Sequence, residues 1–318
     1  MMDIHCNNRH ETDLKQLFDD YLKECEFSSG LRPATIRGYK AVFVLFLSLI
    51  PEAYGTQFLT PAILLEFFKR LQTRQRKVGR STYKIGVRNS TIKTYWTKLN
   101  SFFEWLKNNQ YLEKNPLRQI KKPPEPAYED SKALKDEEVE KIVSAIILRV
   151  TNPLALRRDI IIISLLFYTG IRRGELIALQ VTDLDLGKGL LTIRGETSKS
   201  KRTRVIPMHP TLQMHLRDYI AERNRHNFKT EHLLVSTNRG DAGLTTNGLK
   251  HLEKRLNQLS GVKFHLHRFR HSFATNLAKK DVSIIKIQKL LGHKSLSMTE
   301  RYVRSIVAED LLKDISKL

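Results

Sequence analysis

The strongest constraint on this chain is a break at residues 116–126, where Pro116, Pro123, Pro124 and Pro126 place four prolines in eleven residues. Each proline lacks a backbone N–H and fixes φ, so neither helix nor strand runs through such a stretch. At 318 residues the chain is long enough for two domains that each bury a core. The expected organisation is a first domain over 1–115, a Pro-rich linker over 116–130 and a second domain over 131–318.

Both sides of the break are basic. Residues 1–128 carry 21 Lys and Arg against 12 Asp and Glu, and residues 129–318 carry 34 against 21, within a formal charge of +22. Such a field attracts polyanions, so nucleic acid is the expected partner, with an anionic membrane surface or simple solubility as competing explanations. The longest apolar runs, 41–50 and 160–167, are too short to span a bilayer, and Met1 to His5 carry no basic-then-apolar leader. A soluble, cytoplasmic, nucleoid-associated protein without a membrane partner is therefore expected. Cys6 and Cys25 are too few for a thiolate zinc site or a disulfide framework and read as free thiols.

Apolar residues recur at helical spacing through the first domain: Leu14, Leu17, Phe18, Tyr21, Leu22; Ile36, Tyr39, Val42, Phe43, Phe46; residues 63–71; and Ile92, Tyr95, Leu99, Phe102, Phe103, Leu106. The pattern predicts a small helical bundle. Within it, Arg74, Arg76, Lys77, Arg80, Lys84 and Arg88 surround Gly79 and Gly86. This run reads either as a solvated face or as a mobile basic loop that follows a phosphate backbone.

The second domain opens with Lys135-Asp136-Glu137-Glu138, acids suited to the positive end of a helix running to about residue 149. Asn152-Pro153 starts an apolar helix that Gly170 should stop, and a short helix follows over 174–179. Residues 190–194 and 204–207 are β-prone and predict a hairpin with a cationic tip between them. Helices are expected near 211–226, 245–259, 268–279, 283–291 and 307–317. The predicted class is mainly α, with one small antiparallel sheet in the second domain.

Three dispersed clusters stand out: Thr169-Gly170-Ile171-Arg172-Arg173-Gly174-Glu175, then His267-Arg268-Phe269-Arg270-His271, then Leu291-Gly292-His293 with Tyr302 nine residues on. Taken singly, each has a bland explanation as a cap, a surface cation or one more amphipathic aromatic. In this order, after a basic hairpin, they resemble the tyrosine recombinase, or phage integrase, family over roughly 131–305. The first domain is more loosely similar to the family's core-binding domain, a SAM-like helical bundle, and the second to its catalytic domain of the DNA-breaking-rejoining type. The resemblance assigns Arg172, Lys199, His267, Arg270, His293 and Tyr302 to the catalytic positions and Glu175 to a supporting one. Arg74, Arg76, Lys77, Arg80, Lys84 and Arg88 are the expected DNA-binding residues.

The chemistry accounts for these residue types. In-line attack on a phosphodiester builds charge on the nonbridging oxygens, and two fixed guanidiniums can offset it without a metal or other cofactor. A tyrosine phenol, with pKa near 10, needs a base, for which His267 is placed; the departing 5′ oxygen needs a proton, for which Lys199, or less favourably Lys201, is placed. His293 would donate a hydrogen bond to the phosphate, and Glu175 would orient a cation. The resemblance implies a 3′-phosphotyrosyl link formed without ATP on specific double-stranded recombination sites. It also implies a homotetramer on DNA, monomeric when free, and an apolar tail at Ile306, Leu311, Leu312, Ile315 and Leu318 that docks on a neighbouring subunit or on its own domain. A type IB topoisomerase-like monomer and a catalytically silent DNA-binding protein are the alternatives. A metal site at His265, His267 and His271 is disfavoured by the intervening Arg268 and Arg270.

Overall fold

The computed structural model describes residues 13–79, 81–124, 133–198, 200–238 and 240–303, with residues 301–303 described through their backbone only. Arg80, Lys199, Cys6 and the expected tail helix over 307–317 lie outside the described residues. The chain divides into two compact units, residues 1–127 and 128–318.

In the first unit, helices α1 (Leu14–Lys23), α2 (Pro33–Leu49), α3 (Pro61–Thr73) and α4 (Asn89–Asn108) enclose an aromatic core. Sequence explains their starts: Pro33 and Pro61 occupy first-turn positions, and the Thr60 hydroxyl accepts from the Ile63 amide. Phe18 stacks on Phe43 at 3.8 Å and meets Phe102 edge-on at 5.0 Å, while Phe46 meets Phe67 edge-on at 5.1 Å. The predicted apolar stripes are these buried faces.

Two expectations change. The basic run is not a loop but an antiparallel ribbon of β1 (Gln75–Val78) and β2 (Thr82–Ile85), paired from Gln75↔Ile85 to Val78↔Thr82. Val78, Thr82, Tyr83 and Ile85 are residue types that favour strands, and Gly79 at φ 79° suits the turn between them. Residues 116–120, expected as the start of a linker, fold onto the first unit: Pro116 and Leu117 are buried. Asn115 holds them there, its Nδ2 donating to Asn100 and Glu104 and its Oδ1 accepting from the Leu117 amide.

The second unit contains α5 (Asp136–Arg149), α6 (Pro153–Thr169), α7 (Arg173–Ala178), β3 (Leu184–Asp185), β4 (Leu190–Ile193), β5 (Arg204–Pro207), α8 (Pro210–Arg225), α9 (Thr246–Ser260), α10 (His267–Lys279), α11 (Ile284–Leu291) and α12 (Ser297–Val303). Helix α6 is its spine, buried at Ile161, Ile162, Ile163, Leu165 and Leu166, and it stops at Gly170. The predicted hairpin is β4–β5, in register from Leu190↔Pro207 to Ile193↔Arg204, with β3 adding a short third strand. Tyr219 pins the following loop, donating to the Leu233 carbonyl and accepting from the Val235 amide, both at 3.0 Å. Among the described residues no helix is long and apolar enough to cross a membrane.

Candidate active site

Three guanidiniums converge on the C-terminal end of α11. The last carbonyls of a helix lack intrahelical partners and carry partial negative charge, so they attract cations. Arg204 Nε donates to the Leu290 carbonyl at 2.8 Å and Arg270 Nη2 to the Leu291 carbonyl at 2.8 Å. Arg172 Nη1 reaches the same Leu291 oxygen at 3.3 Å, and its Nη2 reaches the Gly292 carbonyl at 3.2 Å. Arg270 is 1% exposed and is fixed from its other side by the Gly170 carbonyl at 2.7 Å.

Glu175 is the counter-charge. Its carboxylate, 2% exposed, accepts from the Arg172 amide at 2.9 Å, from Arg172 Nη1 at 3.0 Å, and from both terminal nitrogens of Arg204 at 3.1 and 2.7 Å. The amide bond is local, because Arg172 precedes α7 and Glu175 lies in its first turn. Burial alone would push the Glu175 carboxyl up, but Arg204, through hydrogen bonds and charge, and Arg172 together hold it below its usual range. Arg204 packs so closely on Gly292, at φ 65°, that an added Cβ would lie 3.0 Å from its Nη1.

His293 follows this junction. Its Nε2 lies 2.8 Å from Arg270 Nη2 and its Nδ1 lies 2.8 Å from Thr299 Oγ1. Arginine only donates, so Nε2 accepts and the ring proton resides on Nδ1, facing the Thr299 hydroxyl. Burial, then the charges of Arg270, Arg172, Arg204 and His267, lower the His293 pKa to about 3, so the ring is neutral. Thr299 is fully buried on α12, three residues before Tyr302 in the chain.

The structure brings Arg172, Glu175, Arg270 and His293 into one hydrogen-bonded network. His267 stands exposed at the first position of α10, one turn before Arg270, with its ring 4.9 Å from that of His271. Lys199 belongs to the β4–β5 connection, outside the described residues; beside it Ser198 Oγ lies 2.6 Å from Ser200 Oγ, and Lys201 turns the chain at φ 57°. Tyr302 is placed by its backbone in α12. Arg74, Arg76, Lys77, Lys84 and Arg88 belong to the ribbon of the first unit and its flanks. Among the described residues no three His, Cys, Asp or Glu side chains group so as to hold a metal ion.

Sequence reasoning missed Arg204 and Thr299. Arg204 opens β5, and only the pairing of Ile193 with Arg204 tells which strand residue reaches Glu175. Thr299 carries no signal beyond its three-residue spacing from Tyr302.

Residues 132–309 match the phage integrase family. A tyrosine recombinase XerD of Listeria innocua is 30% identical over 312 residues, covering 96% of this chain and 98% of that protein. The fold is shared with XerH site-specific recombinase in a post-cleavage complex with a palindromic difH substrate, at TM-score 0.72 and 22% identity over 96% of this chain and 84% of that one. It is also shared with a lambda integrase tetramer bound to a Holliday junction, at TM-score 0.69 and 18% identity over 92% and 78%.

Proposed function

The chain belongs to the phage integrase family and is a site-specific tyrosine recombinase that cleaves and rejoins DNA; on that premise we propose that Tyr302 is its nucleophile. The observation that carries this reading is the shared Leu291 carbonyl. It sets Arg172 and Arg270 side by side next to His293, on the turn leading to the helix that bears Tyr302. Two adjacent guanidiniums form a cradle for one phosphodiester's nonbridging oxygens.

In the proposed step the Tyr302 Oη attacks phosphorus and loses its proton to His267. A phosphotyrosyl bond forms to the 3′ side while the bond to the 5′ oxygen breaks. Lys199 protonates that oxygen, with Lys201 as the competing donor. Attack by a 5′ hydroxyl of the partner strand reverses each transfer, so neither ATP nor a metal enters the balance. A phosphate in the cradle takes up donors of Arg270. The His293 Nε2 is then released and can donate to the phosphate if the ring proton moves to Nε2 and Thr299 donates to Nδ1.

Exchange between two duplexes requires four cuts, so we extend the reading to a tetramer on paired sites; the lambda integrase that shares the fold is a tetramer bound to a Holliday junction. The apolar tail from Ile306 to Leu318 is the proposed link between neighbours. A substrate nicked near the scissile phosphate, whose short 5′ fragment diffuses away, tests the nucleophile. Wild-type protein should accumulate a covalent adduct and Tyr302→Phe should form none; an adduct that persists in Tyr302→Phe rejects the assignment. Relaxation of a supercoil by the protein as a monomer, without exchange between two sites, would favour the topoisomerase-like alternative.

A further inference from the structure

The β1–β2 ribbon has no core of its own. All four β2 residues are exposed, and an isolated two-stranded hairpin is marginally stable in water. Arg76 lies directly opposite Lys84, a like-charge pair that destabilises a ribbon without an anion. From residue 67 to residue 103 the chain has ten Lys and Arg and no Asp or Glu. The ribbon is nevertheless firmly rooted. The Gly86 amide donates to the Arg74 carbonyl at 2.9 Å, and Arg76 Nε donates to the Gly86 carbonyl at 2.6 Å. Gly86 sits at φ 65°, and a Cβ there would collide with the Gln72 carbonyl oxygen.

Its two faces differ. The register puts Arg76, Val78, Thr82 and Lys84 on one face, where Arg76 and Val78 are half-buried. The opposite face carries Gln75, Lys77, Tyr83 and Ile85, all exposed, with Tyr83 57% and Ile85 78% accessible. Phosphates offer nothing to Ile85 or to the ring of Tyr83, whose hydroxyl alone can reach them. Base edges do: an amide pairs with adenine, an ammonium with guanine, and apolar groups with the thymine methyl. A two-stranded ribbon also fits the major groove, which is about 12 Å wide.

We infer that this ribbon enters the DNA major groove and reads part of the target sequence through Gln75, Lys77, Tyr83 and Ile85, with Arg76, Lys84 and Arg88 on flanking phosphates. The inference rests on the recombinase reading, since a site-specific enzyme needs base contacts, but it is independent of Tyr302.

Sequences bound by the full-length wild-type chain are first selected from a random duplex pool. Affinities of Gln75→Ala with Lys77→Ala, and separately of Tyr83→Ala with Ile85→Ala, are then compared on the consensus and on single-base variants of it. A contiguous block of the consensus should lose its preference, by about tenfold per base pair, while the rest is retained. In Arg76→Ala with Lys84→Ala the consensus should survive, and the slope of log affinity against log salt should fall by about 2. The substituted base-reading positions are exposed, and a melting curve for each variant verifies folding. An unchanged consensus in both base-reading variants overturns the inference, as does a change in salt slope alone. If the wild type selects no consensus, both readings fall; if it selects one but forms no adduct on nicked DNA, only the Tyr302 assignment falls.

Discussion

Glu175 is a buried carboxylate shared by two arginines that differ in what they have left to offer. The bonds of Arg204 to Leu290 and Glu175 engage all three of its guanidinium nitrogens, so in the proposed reaction it acts through its partners, whereas Arg172 remains 21% exposed. Arg204→Ala should therefore lower the cleavage rate by about 10²-fold while DNA affinity shifts by less than about threefold. Arg204→Lys should restore only part of the rate, because an ammonium cannot fork onto a carboxylate. An affinity loss as large as the rate loss would contradict this positioning role. His293 makes a pH prediction. Its folded pKa lies near 3 against an ordinary 6.5, so as pH falls through 6.5 the unfolded chain binds a proton that the folded site does not. The stabilisation is complete above about pH 6.5 and is lost progressively toward pH 3. His293→Gln should narrow the fall in Tm between pH 7 and pH 5, and an undiminished fall would contradict it. Arg172, Arg270 and His293, which meet in one hydrogen-bonded network, were legible from the order and spacing of the clusters that carry them. Arg204 and Thr299 were not, because each reaches the site through strand register or a turn that a linear pattern does not encode.

At the scale of elements, α6 determines whether the second unit holds together. It buries Asp159 against Arg158 at 3.0 Å and against Arg255 of α9, while Arg158 reaches Thr237 at 3.1 Å. Removing one partner leaves a buried charge uncompensated, so Asp159→Ala should cost about 3 kcal/mol. That corresponds to a fall in Tm of roughly 6–12 °C for a unit of this size. A change under 2 °C, about 0.5 kcal/mol, would show that water already screens the group. Most helices were legible from apolar spacing and from Pro or Asn at their starts, as in α6, where the Asn152 side chain accepts from the Ala155 amide. The ribbon and β3 were not. A basic, fully exposed strand such as Thr82–Ile85 has no buried side to set an alternating pattern, and two residues of β3 are too few to show one.

At the scale of the whole molecule, the chain has two compact units, and in the proposed reading one grips DNA while the other carries the chemistry. Four such chains on two duplexes would complete exchange. Truncation after Val307 should leave binding to a single half-site intact and reduce cooperative filling of the second, measured by band shift; unchanged cooperativity would place the tail on its own subunit. Every strand transfer in the proposed reaction passes through one bond between a phenol oxygen and phosphorus. The direct measurement is mass spectrometry of the peptide left on DNA after the wild-type adduct is trapped on a nicked substrate and digested with trypsin. A single nucleotide-bearing peptide, Tyr302-Val303-Arg304, is expected, with the modification on the Tyr302 oxygen and a 3′-phosphate linkage. Modification of any other residue, or a linkage to the 5′ side of the break, would contradict it.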